Sequence, residues 1–430
     1  MKKLLFILTA SSLLFTACSN NKNIEDNNSS NNENVTKIKF WYAYTDKIQE
    51  NNENMAKKFN ETVGKEKGIE VIPEYQGNYD DVHQKLQAAH ISGNVPAISV
   101  MEISAIQNFA ENSVIVPLEE YIERDNVDVL DFYKGLLENC VVDDKFYSLP
   151  YLRSTPILYL NSTILAEAGL DPKGPKTWDE LDNYTRTIKE KTGKYGLSLT
   201  SDAWVLEGLF LQNNSSVINE DMNKTNLNSP EGKKIFSFFQ NLIKDKAVRA
   251  LSGEDSSKVT ADIINQNTAM WFASTADLTK NLQIAKENNF ELNTSFLPKA
   301  EQYGVPTGGC NLVIPSKASD KEKEAAWEFI KWVTSPTQAV ESSIATGYVP
   351  TSKTSAESEE IKELFKEKPQ FKVALDQLHQ YGHGRPMNSS YSEVKKEFIN
   401  TMDAVWVNLK DIDSILDQNA EKINTILQNE

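Results

Sequence analysis

The stretch QYGHGRPMNSSY, residues 380–391, contains Arg385, one of only five arginines among the 45 basic residues of the chain. Lysine supplies nearly all of the remaining positive charge. A guanidinium differs from an ammonium because it is a planar fork that bonds two oxygens of a carboxylate or phosphate at once. Arg385 is therefore a candidate for recognising an anion with paired oxygens.

The sequence contains no frame of residues typical of catalysis or of metal binding. His379 and His383 have the i, i+4 spacing of a helical zinc site, but HExxH is absent and the glycines around His383 disfavour a helix. No GxSxG, Walker or CxxC motif occurs. Acidic residues are plentiful, so a carboxylate pair for glycoside hydrolysis stays open, although no residue marks one. We expect recognition rather than reaction, with no catalytic residues, no metal and no cofactor.

Residues 1–17 have the pattern of a bacterial signal peptide. A basic start, MKK, precedes an apolar run that is too short to span a bilayer. The run ends LLFTAC, which resembles a lipobox, the motif in which the cysteine, here Cys18, becomes a lipidated N-terminus. A plain secretion signal with an unmodified cysteine is the alternative. Residues 18–36 are too polar to pack, so we predict a disordered tether.

Length, charge and cysteine content limit the class of protein. A chain of 430 residues is long enough for two or more folding units. A formal net charge of -16 disfavours nonspecific binding to nucleic acid or anionic lipid, although it does not prevent a local anion site. Cys140 and Cys310 are far apart in the sequence, and we expect two buried thiols, with a disulfide as the alternative.

Hydrophobic patterns near the N-terminus indicate a β-α-β-α-β unit. The segments KIKFWY (37–42), IEVI (69–72) and AISVM (97–101) are predicted strands. Helical patterns lie between them, and the second predicted helix ends at Gly93. This order of elements predicts a mainly parallel sheet covered by helices.

The rest of the chain predicts a second α/β unit. Residues 147–161 form a long apolar extended segment, and the part that follows is rich in helical patterns. Strand-helix blocks on both sides of this middle part suggest two lobes, with 147–161 and 269–274 as candidates to cross between them. Ligands of open α/β sheets bind at the carboxyl ends of strands, so a cleft between the lobes would collect several of those ends.

Four motifs in order along the chain resemble a known family. They are STPILYLN, AGLDPKGPKTWDEL, AAWEFIKWVTSPTQA and TGYVPTS. With the signal-like start, they make the chain similar to the extracellular solute-binding proteins of bacterial ABC importers, in the carbohydrate-type branch. The resemblance implies a two-lobed α/β periplasmic-binding-protein fold of type II, each lobe a mainly parallel sheet flanked by helices, with the ligand cleft between the lobes. The expected ranges are 37–149 plus roughly 275–312 for the N-lobe and 150–274 plus roughly 313–430 for the C-lobe.

A narrower similarity concerns the ligand. The segments QGNYDDVHQKLQAA, GNVPAISVMEISA, AMWFAST and GGCNLVIP resemble the glycerol-3-phosphate-binding members of the family. Carried over by motif, the implied ligand-binding residues are Tyr79, Glu102, Ser154, Ser274, Gly309, Tyr348 and Arg385. A tryptophan pair of those members is half present, with Trp204 in one position and Ser201 in the other.

The chemistry of these residue types fits an anion that carries hydroxyl groups. The fork of Arg385 would bond phosphate oxygens, with Tyr348 and the N–H of Gly309 nearby. Glu102 accepts only, so we place it at the far end of the pocket, against hydroxyl groups of the ligand. Trp204 would form an apolar wall. Each residue also has an ordinary structural explanation, such as a helix cap, a turn or a place in the core.

We therefore expect a substrate-binding lipoprotein that captures glycerol-3-phosphate or a glycerophosphodiester and delivers it to the permease subunits of an ABC importer. A neutral sugar or oligosaccharide is the alternative ligand, and a surface-anchored hydrolase is a more remote alternative. The expected protein is an extracytoplasmic monomer that is attached to the membrane by the lipid on Cys18 and binds no nucleic acid.

Overall fold

The computed structural model describes residues 35–428 of the chain. The predicted signal peptide, Cys18 and nearly all of the predicted tether lie outside the described residues. From Thr36 onward the chain forms one compact unit.

The strands of the described residues follow each other in the chain as β1 (Thr36–Tyr42), β2 (Ile69–Tyr75), β3 (Ile98–Glu102), β4 (Val141–Val142), β5 (Lys145–Phe146), β6 (Leu149–Ser154), β7 (Pro156–Asn161), β8 (Tyr195–Thr200), β9 (Val248–Leu251), β10 (Thr268–Ser274), β11 (Leu292–Ser295), β12 (Val305–Pro306), β13 (Gly308–Val313) and β14 (Gly382–His383).

The α-helices of the same residues are α1 (Asp46–Glu61), α2 (Val63–Lys67), α3 (Tyr79–Ser92), α4 (Ile106–Glu111), α5 (Glu119–Asp125), α6 (Lys134–Leu137), α7 (Ser162–Glu167), α8 (Trp178–Thr192), α9 (Ala203–Gln212), α10 (Pro230–Lys244), α11 (Ser256–Ile264), α12 (Leu278–Glu287), α13 (Asp320–Val333), α14 (Pro336–Thr346), α15 (Lys353–Ala356), α16 (Glu359–Glu367), α17 (Pro369–Tyr381), α18 (Tyr391–Met402) and α19 (Ile412–Gln428). A short π-helix, Asp403–Val407, follows α18.

Two five-stranded sheets organise the fold, and each is the centre of one lobe. The first lobe has the strand order β2-β1-β3-β13-β6, and the second has β11-β7-β10-β8-β9. The expected two-lobed α/β fold is confirmed. The helices cover both faces of each sheet, as alternation along a strand requires: Leu158 and Leu160 pack into one hydrophobic cluster, while Ile157 and Tyr159 pack into another.

Each sheet is mainly parallel, as expected, because four of its five strands run in one direction and one strand is reversed. In the first sheet β13 runs antiparallel to both β3 and β6, and in the second sheet β7 runs antiparallel to both β10 and β11. Each reversed strand is the one that arrives from the other lobe. Such a strand enters along an extended connection, so it needs no helical crossover of the kind that keeps neighbouring strands parallel.

The segment 147–161 crosses between the lobes as predicted, because β6 belongs to the first sheet, β7 belongs to the second, and only Thr155 separates them. The prediction that 269–274 crosses is wrong, since β10 lies wholly in the second sheet.

Sheet membership also differs from the expected lobe ranges at three places. β6 and α13 pack with the first sheet, and β11 pairs in the second. We therefore propose that β6 and α13 belong to the N-lobe and that β11 belongs to the C-lobe.

Several smaller expectations also concern this part of the chain. Cys140 and Cys310 are free and buried, so the predicted pair of thiols is confirmed. His379 lies in the last turn of α17 and His383 in β14, so the two histidines do not share a helix. Within residues 35–428, no group of His, Cys, Asp and Glu is arranged to hold a metal ion. In the same range, no helix has the length and apolar character needed to span a bilayer.

Gly309 is a position where the fold requires glycine. Its φ is +87°, and a Cβ there would lie 1.9 Å from the carbonyl oxygen of Leu152 on β6. Backbone strain alone costs about 1–3 kcal/mol. We expect Gly309→Ala to lower the free energy of unfolding by more than this, because the clash with Leu152 adds to the strain. The control is Gly93→Ala, where φ is +75° and no atom lies within 4 Å, so only the strain operates. Urea denaturation that shows equal losses for both variants would contradict this.

Candidate ligand-binding cleft

All eight residues predicted to contact a ligand line one cavity of about 640 Å³. The first lobe contributes Tyr79, Glu102, Ser154 and Gly309, the second lobe contributes Trp204 and Ser274, and the segments after α14 and β14 contribute Tyr348 and Arg385. The strand ends that the sequence predicted to meet at a cleft are among them, because Glu102, Ser154 and Ser274 are the last residues of their strands. Contact of these residues with a ligand stays a prediction.

The hydroxyl groups in this cavity are donors. Burial raises the pKa of Tyr79 and of Tyr348 well above the usual value, so both phenols stay protonated. Ser154 is buried at the end of β6. The oxygen of Ser274 accepts a 3.1 Å hydrogen bond from the N–H of Ala276, which leaves its hydroxyl hydrogen to donate. Ser274 caps a 3-10 turn, and α12 begins only after that turn.

Trp204 lies directly on the glycine backbone of β13. Its indole N–H donates a 2.9 Å hydrogen bond to the carbonyl of Thr307. A Cβ on Gly308 would lie 2.3 Å from the indole ring, so only glycine lets the ring come this close. The contact joins α9 of the second lobe to a strand of the first, and it forms the expected apolar wall of the cavity.

The guanidinium of Arg385 faces the cavity, but carboxylates already occupy its fork. The Nε and Nη2 groups donate to the two oxygens of Glu207 at 3.0 and 2.6 Å, and Nη1 donates to Glu102 at 2.6 Å. The oxygens at the fork of Arg385 thus belong to the protein, and not to a phosphate as the sequence had led us to expect. A contact between Arg385 and a ligand stays a prediction.

Glu102 therefore lies beside Arg385 and not at the far end of the pocket. Its second oxygen lies 3.4 Å from the ammonium of Lys395 and accepts a 2.5 Å hydrogen bond from Ser104. Burial works against ionisation, but the charges of Arg385 and Lys395 outweigh it and hold the pKa of Glu102 below its usual range. The carboxylate is ionised and faces the cavity as an acceptor.

Glu207 is the residue that sequence reasoning missed. It is 3 % exposed and accepts a further hydrogen bond from the hydroxyl of Tyr391. Burial raises the pKa of Glu207, although Arg385 and Tyr391 partly offset the shift. The signal was present in the sequence, because Glu207 is the only charged residue of the otherwise apolar helix AWVLEGLFLQ, and a buried charge requires a partner.

The backbone of the arginine loop is fixed as firmly as its side chain. The side-chain amide of Asn139 accepts from the N–H of Arg385 at 2.9 Å and donates to its carbonyl at 3.0 Å. The N–H of Gly384 donates to Glu138 at 2.6 Å, and a Cβ on this glycine would lie 2.9 Å from Glu138. The glycine at 384 therefore lets the loop approach Glu138 closely.

The charge of the cavity is mixed. Its carboxylates are Asp80, Glu102, Asp202 and Asp277, and its cations are Arg385, Lys395 and Lys396. Sequence reasoning counted one acceptor among the ligand contacts, whereas the walls hold four acidic side chains. Burial raises the pKa of Asp277, and the carboxylate of Asp202 is used to cap α9. A ligand with both an anionic group and hydroxyl groups fits this mixture.

A larger chamber of about 1210 Å³ adjoins this cavity on the side of the second lobe. The two spaces share Trp204, Ser274 and Asp277 among their wall residues. Only two of the predicted contacts line the chamber, so we place recognition in the smaller cavity. In the described part of the chain, the hydroxyl of Ser201 and the indole N–H of Trp271 have no partner, and both residues line the chamber.

Comparison with known proteins agrees with this geometry. Residues 54–373 match the family of bacterial extracellular solute-binding proteins, and the chain belongs to that family.

Among individual relatives, the sn-glycerol-3-phosphate-binding periplasmic protein UgpB of Salmonella paratyphi A is 25% identical over 418 residues, which cover 92% of this chain and 93% of the relative. The protein of the same name from Salmonella typhimurium is 27% identical over 335 residues, which cover 74% of each chain.

Two solved structures are similar in fold. UgpB of Mycobacterium tuberculosis, in complex with glycerophosphocholine, has a TM-score of 0.81 at 24% identity and covers 91% of this chain and 98% of its own. The cyclic alpha-maltosyl-1,6-maltose binding protein of Arthrobacter globiformis has a TM-score of 0.78 at 22% identity and covers 92% of this chain and 100% of its own. The protein is thus an extracytoplasmic solute-binding protein of the ABC-importer type, in a fold used for phosphate esters and for sugars.

Arg385→Lys tests whether the fork itself holds the two carboxylates. An ammonium cannot bond Glu207 through two parallel N–H groups and reach Glu102 as well. We expect the free energy of unfolding of the ligand-free protein to fall by about 1.5–3 kcal/mol, the usual value of a hydrogen bond to a charged group. Arg186→Lys is the control, because Arg186 bonds both oxygens of Asp182 at the surface, where such pairs contribute about 0–1 kcal/mol. Equal stability of the two variants in urea would show that the fork is dispensable.

Proposed function

We propose that this protein captures glycerol-3-phosphate or a glycerophosphodiester and delivers it to the permease of an ABC importer. The observation that carries the proposal is the convergence of eight residues, chosen by motif from separate places between residues 79 and 385, on the wall of one cavity. The relatives named as sn-glycerol-3-phosphate-binding proteins support it, because they align over 92% of this chain.

The donors in the cavity suit the phosphate, and the acceptors suit the hydroxyl groups. Tyr79, Ser154 and Tyr348 offer hydroxyls, and Gly309 offers a backbone N–H. Because the fork of Arg385 is engaged by carboxylates, we assign the phosphate oxygens to these neutral donors. Glu102 would accept from hydroxyl groups of the glycerol, with Arg385 fixing its orientation.

The adjoining chamber favours a diester over a monoester. A phosphodiester carries a second alcohol, which needs space beside the phosphate, and the chamber shares Trp204 and Ser274 with the cavity. The similar Mycobacterium tuberculosis structure was solved with glycerophosphocholine, which is such a diester.

A neutral oligosaccharide is the second candidate, and the carboxylates of the cavity favour it. Asp80, Glu102, Asp202 and Asp277 beside an indole ring form a surface suited to sugar hydroxyls. Several similar structures are of proteins named for sugars, including the acarbose-binding GacH receptor and a protein in complex with cycloalternan. The hydrolase hypothesis has no comparable support, because the family consists of solute-binding proteins.

Isothermal titration calorimetry with three ligands separates these candidates. We expect saturable binding of glycerophosphocholine, of sn-glycerol-3-phosphate, or of both, and no binding of maltose. The diester should bind more tightly if the chamber is used. Binding of maltose alone would overturn the phosphate-ester proposal and leave the family unaffected.

A matched pair of serine variants locates the binding in the cavity. Ser154→Ala removes one proposed phosphate donor, and we expect a loss of about tenfold or more in affinity, since a hydrogen bond to a charged group contributes about 1.5–3 kcal/mol. Ser342→Ala is the control, because Ser342 is equally buried, lies outside both spaces and has no partner for its hydroxyl within residues 35–428.

We also propose that the mature protein is anchored to the membrane through a lipid on Cys18. Cys18→Ser should leave the protein without the lipid, so that it moves from the detergent phase to the aqueous phase in detergent partitioning, because a serine cannot form the thioether. Cys140→Ser is the control, since Cys140 is a buried thiol of the folded body, and it should stay in the detergent phase. Partitioning of Cys18→Ser with the wild-type protein would exclude the anchor.

A further inference from the structure

Arg153, at the end of β6, is a fully buried cation with only neutral partners. Its side chain is 0 % exposed. Nε donates to the carbonyl of Gly308 at 2.9 Å, and Nη1 donates to the carbonyl of Leu136 and the amide oxygen of Asn311 at 2.8 and 3.1 Å. Nη2 donates to the hydroxyl of Thr307 at 2.9 Å. These bonds use four of the five N–H donors of the guanidinium but do not neutralise its charge.

No carboxylate of the described residues forms an ion pair with Arg153, and the groups around it do not cancel its charge. Glu102 is the only acidic side chain among the groups that shift its pKa, and Glu102 is already paired with Arg385 and Lys395. Burial raises the pKa of the Cys140 and Cys310 thiols to about 11, so both are neutral.

Tyr79, which also acts on Arg153, is neutral for the same reason. A buried charge without a counter-charge is costly, and proteins rarely keep one without a use.

The position of Arg153 relates this charge to the cleft. In the register of β6 and β13, Arg153 lies opposite Gly309, and Ser154 lies opposite Gly308. The carbonyl of Gly308, which accepts from Arg153, and the N–H of Gly309 belong to one peptide group. Both glycines line the cavity. A charged donor on the carbonyl polarises the peptide group and makes its N–H a stronger donor.

Arg385 cannot supply the same potential. Its charge and that of Lys395 are balanced by Glu102 and Glu207, so this group of four side chains has no net charge. Lys396, the remaining cation of the cavity wall, is exposed, so solvent and salt screen its charge. Arg153, beneath the glycine backbone, is buried and therefore acts on the cavity with little screening.

We propose that the anionic group of the ligand is the counter-charge of Arg153, coupled to it through the Gly308–Gly309 peptide group. Arg153 does not touch the ligand, and it acts as a specificity-determining residue that makes the cleft prefer an anion. This inference rests on the proposed phosphate-ester ligand and assigns the selectivity for charge to a residue outside the cavity wall.

Thr307 offers a test that leaves Arg153 in place. Thr307→Asp puts a carboxylate where the hydroxyl now accepts from Nη2, and Thr307→Asn puts an uncharged group of the same shape there. We expect the Asp variant to bind sn-glycerol-3-phosphate or glycerophosphocholine about tenfold or more weakly than the Asn variant, because it supplies Arg153 with a counter-charge of its own. Ligand-free Thr307→Asp should be at least as stable in urea as Thr307→Asn. If the role of Arg153 were purely structural, Thr307→Asp would weaken binding only if it also lowered the stability.

The outcomes separate this inference from the proposed function. If the wild-type protein binds neither phosphate ester, the proposed function fails. If the wild-type protein binds one of them and the Asp and Asn variants bind it equally, only the role of Arg153 is overturned.

Should Thr307→Asp fail to fold, Arg153→Lys and Arg153→Gln give the same contrast. The Lys variant keeps the charge, and we expect it to bind the ester at least tenfold more tightly than the Gln variant. Equal binding by these two would overturn the inference.

Discussion

The fork of Arg385 shared between Glu207 and Glu102 is the interaction on which the arrangement of the cleft depends. Glu207 belongs to a helix of the second lobe and Glu102 to a strand of the first, so one guanidinium joins the two lobes at the cavity wall. All three side chains are nearly inaccessible to solvent. Removing one partner of such a buried group leaves an uncompensated charge, at a cost of about 3–5 kcal/mol. A planar fork is required here because a point charge cannot satisfy a carboxylate on each side.

The rest of the cleft follows from the direct crossings between the sheets. β6 ends at Ser154 and β7 begins at Pro156, so the chain passes from one lobe to the other beside the cavity. β13 returns antiparallel next to β6, which brings Gly308 and Gly309 opposite Ser154 and Arg153. Neutral donors thus lie on the cavity side of this strand pair, and an unpaired cation lies behind it. The acidic side chains of the walls would confine the anionic group of the proposed ligand to that place.

Local patterns in the sequence were sufficient for the elements and for much of the site. The alternation in KIKFWY predicted β1, and the apolar spacing with Gly93 predicted α3 and its end. Tyr79, Ser154 and Tyr348 stand in motifs whose spacing carried over by resemblance, and the structure brings them to one cavity. The patterns did not give strand direction, because alternation is the same in parallel and antiparallel strands. The patterns also did not show that β10 stays within the second sheet, because an extended segment has the same pattern whether or not it crosses between lobes.

The sequence by itself determined the family, the two α/β lobes and eight residues that line one cavity, because hydrophobic periodicity and short motifs are local properties of a chain. Only the tertiary structure decided which charge meets which. Glu102, Glu207 and Arg385 come from three separate parts of the chain, and Arg153 has no acidic partner among residues 35–428, although its neighbour Ser154 lines the cavity. Electrostatic pairing depends on distances of a few ångströms and on burial, and both are fixed only when the lobes pack.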